Sequence, residues 1–472
     1  MSSREKKPSV VVIGAGIAGL ATAYLIRRQA LEQGREIDLT VLESAPQAGG
    51  ATRTVIQDGY LYEAGPNGFL DNEPATLELI RLLKLEEQLQ QADQNAARRY
   101  IYHGGAMRNV PLTPSAFLKS DLLPLTAKLR MALELFIPAR KFNGQEETVY
   151  DFGKRRLGKS FANYLLDPMV SGIFAGDVRE LSLAATFPKM VAMEAEHGGL
   201  FKAMLAKKRG SGRDGSSAGG PGGPQGSLWT FRQGMGALTG KLISELQDAV
   251  INSAAVLAVT REGEGFRIQT DQRSWPAQAV VVAAPSWAAA RIIHDLSTTV
   301  SRALAEIPYA PVDVVCQGFR EKHVHRDHRG FGVLIPRSEK IRSLGTLWSD
   351  SIFPGQAPQG FRLMRSIIGG ACDSGIVKLT DDELKATVQR DLVRVMGISH
   401  PPVVEHLFRH PRGIAQYNLG HLERVARSEE LERQLPGLFF CGASYRGVSV
   451  NGSIKDAFRV AAAFSQQRGS LS

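Results

Sequence analysis

Between Ser9 and Arg53 the chain orders its apolar runs and glycines in a way that few folds accommodate. Ser9-Val10-Val11-Val12-Ile13 enters Gly14-Ala15-Gly16-Ile17-Ala18-Gly19, a helical stretch follows, and a second apolar run, Asp38 to Leu42, ends on Glu43. Gly49-Gly50-Ala51-Thr52-Arg53 closes the block. Strand, glycine turn, helix, strand and acid form the sequence of a dinucleotide-binding β-α-β unit. Gly14 permits the tight turn, Gly16 lets the backbone approach a pyrophosphate, and Gly19 lets helix and strand pack. The helix start supplies unpaired N–H groups and partial positive charge for phosphates, and Glu43 would accept from a ribose hydroxyl pair. Val10 to Ile26 is apolar enough to suggest a signal peptide or membrane anchor. Three glycines interrupt it, it lacks a clear small-residue cleavage site, and it is short for a span.

A length of 472 residues allows two or three domains with sizeable cores. The 57 Lys and Arg against 47 Asp and Glu leave a net charge of +10. That suits a membrane surface, an acidic small molecule or nucleic acid, and equally a merely soluble surface. Cys316, Cys372 and Cys441 are far apart and no C-x-x-C occurs, so neither a disulfide framework nor a cysteine zinc site is expected and a reducing compartment fits.

Helical spacing begins near Pro74, with Leu77, Ile80, Leu82 and Leu83. Pro111 to Phe142 mixes Phe117, Leu118, Leu122, Leu123 and Leu125 with Lys119, Lys128, Arg130, Arg140 and Lys141, which reads as a helical subdomain packed on itself or as a membrane-contacting face. Gly210 to Gly226, rich in Gly, Ser and Pro, reads as a flexible loop. Ala254 to Thr270 reads as two strands around Glu262-Gly263-Glu264-Gly265, and Ala279 to Ala284 as a buried parallel strand that rejoins the first sheet. A strand at Gly437 to Phe440 and a helix from Asn451 to Phe464 end the pattern.

Several further blocks stand in order. They are Gly65-Pro66-Asn67; Ser171-Gly172-Ile173-Phe174-Ala175-Gly176-Asp177 with Glu180-Leu181-Ser182; Gly330-Phe331-Gly332-Val333-Leu334-Ile335-Pro336; Gln416-Tyr417-Asn418-Leu419-Gly420-His421; and Cys441-Gly442-Ala443-Ser444-Tyr445 through Gly447-Val448-Ser449-Val450-Asn451. With them the chain resembles, over nearly its whole length, the FAD-dependent protoporphyrinogen and coproporphyrinogen oxidases of haem biosynthesis, within the amine-oxidase-like flavoproteins. The resemblance implies FAD rather than NAD. It implies an α/β fold with a Rossmann-like FAD-binding domain built from segments 1–80, 228–300 and 430–472. A mixed α+β substrate domain (81–94 and 301–429), a helical, membrane-facing subdomain (95–210) and a flexible loop (211–227) complete the expected division.

The activity implied is oxygen-dependent removal of six electrons from protoporphyrinogen IX, with hydrogen peroxide formed. Coproporphyrinogen III is the alternative, and amine oxidation or polyene desaturation on the same scaffold a further one. The basic apolar segment suits an apolar product and so favours protoporphyrinogen. The partners implied are the porphyrinogen, molecular oxygen, the inner face of the cell membrane contacted peripherally by a cytoplasmic enzyme, a ferrochelatase receiving the product, and a second copy in a homodimer. Nothing beyond net charge points to nucleic acid.

By the same resemblance Gly172 lies beside the ring centre, where its carbonyl accepts or polarises a pyrrole N–H. Phe331 and Leu334 sandwich the macrocycle, and Arg99 meets a propionate with a guanidinium fork, with Arg98 one residue away. Taken alone, Gly172 is as readily a packing glycine, Phe331 and Leu334 core residues of a strand, and Arg99 a surface arginine. The cofactor would be held by Gly14, Ala15, Gly16, Ile17, Ala18, Gly19, Glu43, Ser44, Thr52, Arg53, Gly65, Pro66, Asn67 and Gly68. Val256 would lie near the adenine, and Ala443, Val448, Ser449 and Val450 near the flavin, where a helix starting at Val450-Asn451 favours the negative charge of the reduced ring. His323, His325 and His328 lack a nearby acidic or cysteine partner at ligand spacing and read as a solvated loop, with no metal expected.

Overall fold

A computed structural model describes residues 7–111, 113–140, 145–210, 226–326 and 328–469. Five parallel strands form the sheet that organises the first half of the molecule, in the order Val250–Ile251, Asp38–Leu42, Ser9–Ile13, Ala279–Val282 and Leu438–Phe440. Val11 pairs with Thr40 on one side and Val280 on the other, and Val281 pairs with Phe439. The strand at Ala279–Val282 therefore does join the first sheet, as its β-branched run implies.

Alternation along each strand divides the side chains between two cores. Val10, Val12, Val281 and Phe439 face the helices Ile17–Glu32, Gly236–Leu246 and Val450–Gly469. Val11, Ile13, Val280, Val282 and Phe440 face the three-stranded sheet Val256–Ala277 and the helices Ser286–Ile292, Thr298–Ala305 and Leu431's helix, His421–Gln434. Burial on both faces is why these strands are continuously apolar. Leu20 and Ile454 are fully buried between the first and last helices, and burying each such side chain contributes about 1.5–3 kcal/mol.

A seven-stranded sheet forms the second half, in the order Val404–Phe408, Val312–Arg320, Phe361–Gly369, Ser343–Trp348, Gly332–Leu334, Arg99–His103 and Ala106–Asn109. The pairing of Gly332–Leu334 with Arg99–His103 is parallel, Leu334 beside Ile101. The helix Asp381–Met396, opened by a Thr380–Glu383 capping box, covers one face with Leu384, Val388 and Leu392.

Two segments sit elsewhere than the sequence suggests. Leu83 and Leu85, inside the expected substrate segment 81–94, are buried in the first core, and Leu89–Gln91 pairs with Leu228–Phe231. Arg99–His103 and Ala106–Asn109, expected in the helical subdomain, are the last two strands of the seven-stranded sheet, Ala106–Asn109 at its edge. Apolar spacing places a residue in some core and does not say which one.

The helical layer runs from Pro114 to Gly210 and encloses a fully buried Arg156–Glu134 ion pair. Of the cations expected on its outer face, Lys128 donates to the Leu118 and Ser120 carbonyls, Arg130 to the Arg155 carbonyl (2.8 Å), and Arg140 pairs with Glu147 (3.5 Å). Lys141 and most of the expected flexible loop, 211–225, lie outside the described residues. Among the described residues no helix is long and apolar enough to cross a membrane.

Candidate functional site

The chain leaves the parallel strands at Gly14, Glu43, Ala283 and Cys441, on the carboxyl edge where open α/β sheets bind their ligands. Gly14 adopts φ +102° and donates its N–H to Leu42 O (2.8 Å). A Cβ at Gly19 would run into the Gly14 carbonyl oxygen and come within 3.2 Å of Ala283 Cβ, so this position closes the strand–helix contact. At Gly16, which caps the helix carrying Ile17 and Ala18, no atom lies within 4 Å of where a Cβ would stand. Glu43 Oε2 accepts from Ala15 N–H (2.7 Å), and its Oε1 from Ala45 N–H (2.8 Å) and the Ser44 hydroxyl (3.2 Å). The Glu43 carbonyl accepts from Ala254 N–H (2.8 Å), which brings the start of the Val256 strand alongside.

Gly49 N–H donates to Ala15 O (2.8 Å), laying the Gly-Gly-Ala-Thr-Arg turn against the first glycine turn. The Thr52 carbonyl accepts from the Thr239 hydroxyl (2.8 Å), and the Arg53 guanidinium stands 5.8 Å from the Phe408 ring centre. The next loop is held from below. Arg365, buried in the seven-stranded sheet, donates to the Glu63 carbonyl (3.1 Å) and the Gly65 carbonyl, Pro66 and Asn67 are half-buried, and a Cβ on Gly68 would stand 2.6 Å from Trp229 O. At the C-terminal turn the Tyr417 hydroxyl donates to Ala443 O (2.7 Å) and accepts from Gly447 N–H (2.8 Å). Val448 packs between two cores, Ser449 Oγ accepts from Gly452 N–H (3.0 Å), and Val450 is buried at the helix start. Asn451 does not stand free at that helix start; its amide donates to Leu70 O (2.8 Å) and accepts from the Thr76 hydroxyl (2.9 Å). The open space at Gly16 beside a helix start, with Glu43 at the neighbouring strand end, fits a bound dinucleotide.

The expected substrate residues are neighbours, with Leu334 and Phe331 packed in different clusters. A Cβ on Gly172, in the helix Asp167–Phe174, would have one neighbour, Leu334 Cδ2 at 2.9 Å. Leu334 shares its strand with Gly332, which pairs with Arg99. Phe331 N–H donates to Arg98 O (2.7 Å), while the Arg99 guanidinium stands 5.2 Å from the Phe331 ring centre. Arg99 has no carboxylate partner among the described residues. An exposed, unpaired guanidinium above an aromatic ring suits an anionic group on a flat apolar molecule.

Four further residues gave no signal of their own in the sequence. Glu63 is buried, accepts from Met235 N–H (2.7 Å) and the Thr54 hydroxyl (2.8 Å), and burial pushes its pKa up to about 7. Arg337 reaches the end of the Gly172 helix. Asp167, at the start of that helix, is buried and raised by desolvation, and it follows a π-helical turn, Ala162–Leu166, of the kind often found at functional sites. Cys372 donates to Asp177 Oδ2 (3.2 Å). Each looks like an ordinary surface or strand residue until the fold brings its partners in.

The histidines are not brought together. His323 stacks on His400 (3.6 Å between centroids), His325 bonds Ser399 (3.1 Å), and His328 accepts from Arg362 (2.7 Å). Among the described residues no three His, Cys, Asp or Glu side chains could share a metal ion.

Residues 17–464 match the family model described as flavin containing amine oxidoreductase. The chain is 30% identical over 456 residues to coproporphyrinogen III oxidase of Bacillus subtilis (strain 168), covering 94% of this chain and 95% of that protein. It is also 30% identical over 479 residues to protoporphyrinogen oxidase 2, chloroplastic/mitochondrial, of Arabidopsis thaliana (96% and 92%). A crystal structure from Exiguobacterium sp. 255-15 has a TM-score of 0.84 at 23% identity, with 98% and 99% of the two chains covered. Putrescine oxidase has a TM-score of 0.70 at 16% identity (98% and 99%). The chain is therefore an FAD-dependent oxidoreductase, and it belongs to the flavin-containing amine oxidoreductases and, among them, to the porphyrinogen oxidases of haem biosynthesis.

Proposed function

We propose that the enzyme oxidises protoporphyrinogen IX to protoporphyrin IX, removing six electrons in three rounds and forming three hydrogen peroxide from three oxygen molecules. One observation carries this reading: Arg99, exposed and without an acidic partner among the described residues, lies over Phe331, in register with the strand whose Leu334 faces Gly172. A flat macrocycle with apolar faces and anionic edges matches that combination. When bound, FAD accepts the hydrides that leave the macrocycle and passes electrons to oxygen. The chain's own part is to hold the ring between Leu334 and Phe331, anchor a propionate on Arg99, and offer the Gly172 carbonyl to a pyrrole N–H.

An apolar stripe supports protoporphyrinogen over coproporphyrinogen III. Leu125, Leu129, Leu133 and Phe136, spaced four, four and three apart, are 70%, 61%, 53% and 80% exposed on the helical layer. Such a stripe suits peripheral contact with a lipid surface, where an apolar product partitions. Product hand-off to a ferrochelatase and a homodimer belong to the same reading. The Bacillus subtilis relative keeps coproporphyrinogen III as the second reading. Initial rates on the two porphyrinogens, measured side by side by porphyrin fluorescence, test it. Faster turnover of coproporphyrinogen III would replace the first reading with the second, and inertness toward both would end both.

A further inference from the structure

Arg337 lies three residues beyond Leu334, across a short loop from the Gly172 helix, and the function above gives it no role. Its guanidinium is directed at that helix and the turn that follows it. Nη2 donates to Gly176 O (2.6 Å), lies 3.5 Å from Ser171 Oγ and stands 3.6 Å from Asp167 Oδ1. Nη1 donates to Cys372 Sγ (2.6 Å) and stands 3.5 Å from Asp177 Oδ2. Ser171 and Gly176 bracket Gly172 and the left-handed residue Ala175 (φ +48°). A non-glycine residue in that conformation persists only where its surroundings hold it. Ala371 N–H donates to Ala175 O (2.7 Å) from the far side, so the turn is held from two directions. Without Arg337, the Gly176 carbonyl loses a charged donor and Asp167, already raised by burial, loses its nearest cation.

We infer that Arg337 is a positioning residue of the reaction: its fork ties the Leu334 strand to the Ser171–Asp177 turn and so fixes how Leu334 and the Gly172 carbonyl stand relative to each other. The inference rests on the proposed placement of the macrocycle against Leu334 and within reach of the Gly172 carbonyl. Its geometry explains why an arginine is needed. One planar fork reaches a carbonyl, two carboxylates, a hydroxyl and a thiol at once, and a lysine ammonium reaches fewer of them.

The test uses the FAD-loaded holoenzyme and the variants Arg337→Gln, Arg337→Lys and Cys372→Ser. In Arg337→Gln, amide hydrogen exchange over residues 171–177 should accelerate, while FAD content and melting temperature stay close to the parent's. Its kcat on porphyrinogen should fall roughly tenfold or more with KM little changed, because a misplacement of about 1 Å can cost as much as a hundredfold in rate. An acid limb absent from the parent should appear in its pH–kcat profile as Asp167 takes up a proton. Arg337→Lys should recover part of kcat, and Cys372→Ser, which leaves the bonds to Gly176 and Asp167 in place, should behave as the parent. Unchanged kcat in Arg337→Gln, or a loss that follows FAD content and melting temperature, overturns the inference and leaves the proposed function standing. If the parent oxidises neither porphyrinogen, the proposed function falls and the catalytic part of the inference falls with it. The exchange measurement then decides the clamp alone, and unchanged exchange at 171–177 removes that too.

Discussion

Gly16 and Gly19 look alike in the sequence and are glycine for different reasons. At Gly19 a side chain meets the chain's own backbone; at Gly16 it meets open space. Gly16→Val should therefore melt like the parent apoprotein and fail to retain FAD on gel filtration, whereas Gly19→Val should lose both cofactor and stability. Arg99→Leu removes a charged hydrogen-bond donor of about 1.5–3 kcal/mol, so KM for the porphyrinogen should rise roughly 10- to 100-fold while FAD content holds. Glu63 gives a test in pH. Burial raises its pKa from 4.5 to about 7, so the folded chain holds the proton more tightly than the unfolded one. The stability from this group is complete below about pH 4.5 and is lost as the pH climbs through about 7, a change of about 3 kcal/mol. Glu63→Gln keeps an oxygen for Met235 N–H, turns an amide N–H toward the Thr54 hydroxyl in place of Oε2, and carries no charge. Thermal melts across pH should show the variant matching the parent near pH 4.5, gaining on it between about pH 4.5 and 7, and keeping that lead at higher pH.

At the scale of elements, the parts read most readily from sequence are those whose physics is local. The continuous run Ala279 to Val282 declares burial on both faces, and Gly14 to Gly19 declares a turn opening a helix. Ser9–Ile13 and Asp38–Leu42 lie where the pattern places them. What the pattern could not carry is which partners an element finds. Leu83 and Leu85 have the spacing of any amphipathic helix end, and only the fold decides that their core is the first one. Arg337 and Arg365 are single arginines in strand-and-loop contexts, and their positioning roles depend on carbonyls about 160 and 300 residues away in sequence. The mixed segment 111–142 shows the same limit. Its apolar residues at Leu125, Leu129, Leu133 and Phe136 do form an exposed stripe, but Lys128 and Arg130 turn inward to backbone carbonyls. Phe136→Asp should accordingly lower retention on phospholipid vesicles roughly tenfold in cosedimentation, with little change in soluble turnover. Equal retention would show that the stripe is not what meets lipid.

On the scale of the whole molecule, both halves of the site are assembled from segments distant in the chain. The proposed substrate residues lie near 100, 172 and 332, and the proposed cofactor residues near 14, 43, 65 and 445. Leu438–Phe440 pairs with Ala279–Val282, and the helix Val450–Gly469 buries Ile454 and Val460 in the core that holds Leu20. The consequence concerns synthesis. A ribosome that has made the complete glycine fingerprint still has nearly four hundred residues to add before the sheet gains its outer strand and the first helix its covering partner. Until then Leu20, Ala23 and Tyr24 have lost part of their shelter, and the nascent chain must be kept from aggregating. Arrested nascent chains ending before Leu438 should remain sensitive to protease and unable to take up flavin, and release of the last thirty-five or so residues should confer both properties together.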